Sequence, residues 1–370
     1  MEIENERLSG CFITRSGPKT FFRKEKPMIS QRKVYSIPAF WILALPFILT
    51  FLFAVPGPVS GASPILMKLS HQWAKDDLRD QWAHWFTKGV EEKTKGSVKF
   101  EIYPASALFK PHPQFDAMRQ GALDLAVYHI AYAAGKVPET MITMMPCLPR
   151  NYQEAMKWRD AAIGKMVEKM CEENGIKILS WGWMMGGIGS KKKLVALPTD
   201  CQGLKMRGAG KATEEMLRFS GASITSMPST ELYFALQTGV LDALMTTYSS
   251  FQSFRLYEVL DHLVVGRQNY VFSTLAGIVI SNKTWAKLSP DQKKDMLEVG
   301  RGIEKKFHDE VMLEDEKAAD LFSKKGVKIH YMTDAEFKAW EEASKNSAWK
   351  SFAEKVKGGK RIIDAAIALR

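Results

Sequence analysis

Between residues 65 and 250, short apolar runs of strand character alternate with stretches whose apolar positions recur at helical spacing. Ile65–Ser70 reads as a strand. In 76–95, Leu78, Trp82, Trp85, Phe86 and Val90 fall on one helical face, and Gly96 stops the helix. Val98–Tyr103 alternates as a strand, 113–120 reads as a helix closed by Gly121, and 123–128 as a strand. The rhythm returns with a helix over 152–174 closed by Gly175 and a strand over 176–181. It continues with strand 204–207, helix 211–220, strand 222–227, helix 230–238 and strand 241–245. Strand–helix–strand units of these lengths predict parallel α/β structure.

Two such series, 65–180 and 195–250, are separated by a Gly-rich stretch at 181–190, WGWMMGGIGS, which reads as a crossing between lobes. The final third is mostly helical, with long patterns over Pro290–Lys324 and 334–355 and a short strand at 327–331 between them. The expected division is lobe 1 over 63–185, completed by parts of the C-terminal segment, lobe 2 over 186–275, and a helical segment over 276–370.

Ahead of all this lies an uncharged apolar run at 37–55, IPAFWILALPFILTFLFAV, preceded by Arg32-Lys33 and followed by the small-residue stretch GPVSGA at 57–62. A basic flank, an apolar centre and a small-residue exit make a secretory signal with cleavage near Ala62. At 19 residues the run is also long enough for an uncleaved anchor; Pro38, Pro46 and Pro56 favour cleavage. Residues 1–27 are polar and basic, and Met28 begins a signal of ordinary proportions, so 1–62 is read as extension plus signal with its start at Met28. The rest of the chain is expected to work in the periplasm.

The 370 residues carry a net charge of +11. Residues 1–62 hold eight basic and four acidic side chains, which leaves +7 on the 308 that follow. The longest basic run there, Lys191-Lys192-Lys193, has no interleaved aromatics, which argues against nucleic-acid binding. Cys147, Cys171 and Cys201 are odd in number and widely spaced, so no disulfide framework is expected. No CxxC or HExxH spacing is present, so no metal or cofactor is implied. Gly208-Ala209-Gly210-Lys211 resembles the end of a phosphate loop, but Lys205 stands at the first glycine and Ala212 at the magnesium-binding Ser/Thr. No GxSxG elbow occurs, and the histidines form no base-and-nucleophile set. No catalytic constellation stands out among these motifs.

Three segments carry a resemblance: LPTDCQGLKMRGAGK at 197–211, GASITSMPSTELYFALQTGVLDAL at 221–244 and YEVLDHL at 257–263. They are similar to the extracytoplasmic solute-binding subunit of tripartite ATP-independent periplasmic (TRAP) transporters, the DctP-type family. YPAS at 103–106, GALDLAV at 121–127 and MPCLPRNYQEA at 145–155 follow in family order. The resemblance implies an α/β, two-lobed periplasmic-binding-protein (Venus flytrap) fold with a long helix, about 290–324, spanning both lobes. It implies a monomeric receptor, not an enzyme, that closes on a small organic acid and hands it to the small and large TRAP permease subunits. A receptor of an ATP-driven importer or of a sensor system is the rival reading.

Arg207 occupies the position whose guanidinium grips the ligand carboxylate in the family, and a planar fork of donors suits that task. By position in the pattern, Gln72, Trp73, Tyr128, His129, Trp181, Trp183, Thr246, Thr247 and Tyr248 are expected as further ligand-binding residues, because ligands of open α/β sheets bind beyond strand carboxyl ends. Asp242 and Glu231 are expected to hold a loop or helix end, since a negative charge opposes an anion. The chain departs from the family's better-known pattern: DALMTTY stands at 242–248, and 184–189 offers no second arginine. A monocarboxylate with an apolar or aromatic body is therefore expected, with a C4-dicarboxylate as the alternative.

Overall fold

The structure, a computed structural model, describes residues 63–370. The apolar run at 37–55, Met28 and the processing site near Ala62 lie outside the described residues. Among those described, no helix is long and apolar enough to cross a membrane.

The chain opens with β1 (Ile65–Ser70), α1 (Leu78–Lys93), β2 (Val98–Tyr103), α2 (Gln114–Gln120) and β3 (Leu125–His129). After two 3-10 turns come α3 (Tyr152–Lys157), α4 (Ala162–Glu173) and β4 (Ile176–Ser190). The middle supplies β5 (Lys205–Arg207), α5 (Lys211–Phe219), β6 (Ser223–Ile224), α6 (Leu232–Gln237), β7 (Ala243–Thr247) and α7 (Tyr248–Ser253). Then follow β8 (His262–Val265), β9 (Phe272–Ser281), α8 (Asn282–Ala286), α9 (Pro290–Lys324), β10 (Lys328–Tyr331), α10 (Asp334–Ser344), α11 (Lys350–Lys355) and α12 (Gly359–Ile367).

The strands form one sheet in the order β2-β1-β3-β9-β4-β7-β5-β6, with β8 beside β4 and β10 beside β8. The parallel pairings β1–β2, β1–β3, β5–β6 and β5–β7 come from the strand–helix–strand units visible in the sequence. Between these two parallel sets run the antiparallel strands β4 and β9. The Gly-rich stretch 181–190 is therefore not an interruption but the second part of a 15-residue strand. Its glycines mark close approaches: a Cβ on Gly186 would stand 1.9 Å from the Thr246 carbonyl oxygen, and one on Gly182 2.6 Å from the Phe307 ring. Strand β9, FSTLAGIVIS, is buried along its whole length. Such a run lacks the alternation that marks a half-exposed strand.

Helix α9 is 35 residues long, about 50 Å at 1.5 Å per residue. It starts with a capping box, in which Ser289 and Gln292 exchange side-chain-to-backbone bonds, and Pro290 takes the first turn. Gly300 lets it lie against β4, where a Cβ would come within 2.1 Å of the Leu179 carbonyl oxygen. On one side Phe307 stacks on Trp82 of α1 with centroids 4.1 Å apart; further along, Phe322 meets Phe251 of α7 edge-on. The fold is thus a two-lobed α/β architecture, with α9 running behind both lobes.

Candidate ligand-binding cavity

The carboxyl ends of β3, β5 and β7 converge, and the antiparallel β9 brings its beginning to the same place. Between them lies a small cavity of about 10 Å³. Arg207 is the last residue of β5 and only 1% exposed. Its Nε donates to the Met227 carbonyl oxygen at 3.0 Å and its Nη1 to that of Met245 at 2.9 Å. No carboxylate among the described residues forms an ion pair with it. Burial pulls its pKa down, and the Tyr132 hydroxyl and the more distant Glu214 oppose that shift. A guanidinium aimed by backbone carbonyls, with no ion-paired carboxylate among the described residues, is chemically suited to an anion.

His129, the last residue of β3, stands across the cavity with Nδ1 3.3 Å from Thr274 Oγ1. Burial, then the charges of Arg79 and Arg207, push its pKa down to about 3. It is therefore a neutral imidazole at physiological pH and contributes no second charge. Thr246 and Thr247 line the cavity at the end of β7. Thr247 also caps α7, accepting from the Ser250 N–H, while its Oγ1 donates to Ser250 Oγ at 2.9 Å. Ser229, Ser250 and Thr274 add hydroxyls, and Tyr132, Met144 and Phe272 add apolar and aromatic surface. The Ser229 hydroxyl is buried without a protein partner. A groove lined by His112, Phe115, Lys211 and Met227 adjoins the cavity and shares Tyr132 and Ala209 with it.

Of the residues expected from sequence, Arg207, His129, Thr246 and Thr247 are brought together here. Trp73 is adjacent: it meets His129 edge-on at 5.3 Å but does not line the cavity. Gln72 is buried beside it, with both amide atoms unpartnered. Four residues lie elsewhere. Tyr128 alternates with His129 along β3 and points the other way, stacking on Phe115. On β4, Gly182 faces Trp82 and Phe307, so its neighbours Trp181 and Trp183 face the opposite side. There Arg159 lies over Trp181 at 5.2 Å, and Trp158 packs edge-on to Trp183 at 5.0 Å. Tyr248 begins α7 and turns into a separate core cluster, its hydroxyl accepting from the Gly266 N–H at 2.8 Å. Strand alternation accounts for the three on strands, since successive side chains point to opposite faces. Asp242, expected to hold a loop, accepts from the Lys205 N–H at 2.9 Å.

Sequence reasoning missed Tyr132, Met144, Ser229, Ser250, Phe272 and Thr274, which sit on 3-10 turns, in the short helix α7 or near the start of β9 and carry no pattern of their own. It also missed Arg79. This arginine is fully buried on the first turn of α1 and lies over the Trp73 ring at 4.6 Å. Unlike Arg207 it is neutralised: Nη2 is 2.6 Å from Asp77 Oδ2, and Nε donates to Asp77 Oδ1 at 2.7 Å. Burial alone would raise the Asp77 pKa, but the Arg79 charge and hydrogen bonds hold it below the usual carboxylate value.

A buried cation at strand ends, ringed by hydroxyls, is chemically suited to hold a small anion. The chain belongs to DctP, family 7 of the bacterial extracellular solute-binding proteins, whose profile matches residues 69–355. A solute-binding protein of Albidiferax ferrireducens is 36% identical over 317 residues, covering 84% of this chain and 94% of its own. The C4-dicarboxylate-binding periplasmic protein DctP of Rhodobacter capsulatus is 30% identical over 292 residues, 76% of this chain and 84% of that one. Among solved structures, a TRAP periplasmic solute-binding protein of Rhodoferax ferrireducens with bound malonate superposes with a TM-score of 0.80 at 36% identity. That match spans 82% of this chain and 98% of the other.

Proposed function

We propose that the protein, exported by the signal at 37–55, captures a small carboxylic acid in the periplasm and delivers it to the membrane subunits of a TRAP transporter. Arg207 carries this reading: it is the one buried cation of the cavity without an acidic partner among the described residues. An incoming carboxylate would replace the missing counter-charge, and closure would put that pairing in a drier place where it is stronger. Because His129 is neutral and Arg79 is already paired with Asp77, the cavity offers one net positive charge. That balance favours a monocarboxylate. Its body would rest on Met144, Phe272 and Tyr132, with Thr246, Thr247, Ser229 and Thr274 meeting any polar substituent.

A small dicarboxylate is the second reading, favoured by the malonate bound in the Rhodoferax relative. A thermal-shift panel of malonate, succinate, L-pyroglutamate, orotate, benzoate and short aliphatic acids separates the two. Larger stabilisation by the monoacids supports the first reading. Stabilisation by malonate or succinate with none by the monoacids overturns it.

A further inference from the structure

Arg79 makes more contacts than pairing with Asp77 requires. Its Nη1 donates to Ser250 Oγ at 2.9 Å and its Nη2 to Ser253 Oγ at 3.1 Å. Those serines are 171 and 174 residues away, on α7. The remaining partners, Asp77 and Trp73, belong to the β1–α1 connection. The guanidinium thus bridges the set of strands containing β1 and the set containing β7, and it does so beside the cavity. On one side Trp73 passes the contact to His129. On the other, Ser250 passes it through a hydrogen bond to Thr247. Two cavity residues from opposite lobes are therefore each one step from the same buried arginine.

Burying a charged fork is costly unless every donor finds an acceptor in good geometry. Asp77 travels with Arg79 on the same turn and keeps its bonds whatever the other lobe does. The two serine bonds exist only while α7 stays against α1. We propose that Arg79 is a positioning residue for ligand capture, a clasp whose bonds to Ser250 and Ser253 hold the lobes closed around an occupied cavity. The proposal rests on the reading of that cavity as the ligand site. A clasp of this kind acts after the ligand has entered, so it slows release and leaves entry nearly unchanged.

The test uses Ser253→Ala, which removes one contact outside the cavity, and Arg79→Lys, which keeps the charge and loses the fork. The probe is whichever acid of the panel above raises Tm most. Stopped-flow kinetics are expected to show release about tenfold faster in each variant, the weight of a hydrogen bond to a charged group, with association within twofold. Spin labels at Lys110→Cys and Lys211→Cys, both exposed, are expected to report a larger open fraction in the ligand-saturated Ser253→Ala protein. Unchanged release rates and unchanged distances in both folded variants would overturn the clasp. If Arg207→Ala abolishes binding while the Arg79 and Ser253 variants behave as wild type, the clasp alone fails. If Arg207→Ala binds normally, the cavity reading fails first.

Discussion

Nη1 of Arg207 donates to the carbonyl oxygen of Met245 at 2.9 Å, so the cation at the end of β5 is aimed by the main chain of β7. The same strand presents Thr246 and Thr247 to the cavity. Charge and hydroxyls are therefore fixed relative to each other by one parallel pairing, in which Arg207 lies opposite Leu244. A preformed arrangement of this kind loses little on ordering when an anion arrives.

Thr246→Val keeps the shape and removes the hydroxyl. It is expected to weaken binding of the preferred acid about tenfold, the weight of a hydrogen bond to a charged group, with Tm nearly unchanged. Calorimetry beside a thermal melt checks both. Unaltered affinity would take Thr246 off the list of contacts.

Trp181→Phe and Trp183→Phe should do the reverse. Both side chains pack behind the cavity, against Arg159 and Trp158, so each substitution is expected to cost about 1–3 kcal/mol of stability while affinity changes less than threefold. Urea unfolding and calorimetry on the same samples decide it. A large affinity loss without destabilisation would return the tryptophans to the binding site.

Binding should be nearly independent of pH from about 5.5 to 8. Arg207 is charged throughout, and His129, pushed down to about 3 by burial and the nearby arginines, stays neutral over that window. Affinity should fall only in more acidic solution, as the ligand itself protonates. A steep rise in affinity between pH 7 and 5.5 would mean that His129 gains a proton and pairs with the anion.

Stability has its own pH dependence. His308 accepts from the Trp183 N–H at 3.0 Å, and burial pushes its pKa down to about 4. The unfolded chain therefore binds a proton there before the folded one does, and stability is lost as pH falls from about 6.5 towards 4. Glu304 acts in the opposite sense. Burial raises its pKa to about 7, against the pull of Arg159 and the Trp181 N–H. The folded form binds that proton first, so stability is gained as pH falls from 7 towards the ordinary carboxylate range. His308→Gln, whose amide oxygen can still accept from Trp183, is expected to lose about 1–2 kcal/mol less than wild type between pH 7 and 5. Denaturant midpoints at the two pH values check the difference.

The parallel units were legible because their strands and helices alternate with clear glycine stops, and Pro290–Lys324 because its cap and apolar stripe are local signals. Strand β9 was not, because burial on both faces erases alternation. The far part of β4 was not, because glycine reads as a breaker in sequence, while here it admits the carbonyl of Thr246 and the ring of Phe307. In the cavity, Arg207 was legible through the family motif around it, and His129, Thr246 and Thr247 as strand ends. Tyr132 and Ser229 depend on how turns pack across lobes, Ser250 on how α7 packs, and Arg79 became visible only when α1 met α7.

The measurement that bears most directly on the central claim is calorimetric titration of the most stabilising acid into the wild-type protein and Arg207→Ala, each shown to be folded by circular dichroism. If Arg207 is the carboxylate receptor, the variant loses at least about 2–3 kcal/mol of binding, a hundredfold in affinity, and keeps its cooperative melt. Equal affinity in a folded Arg207→Ala protein would contradict the account.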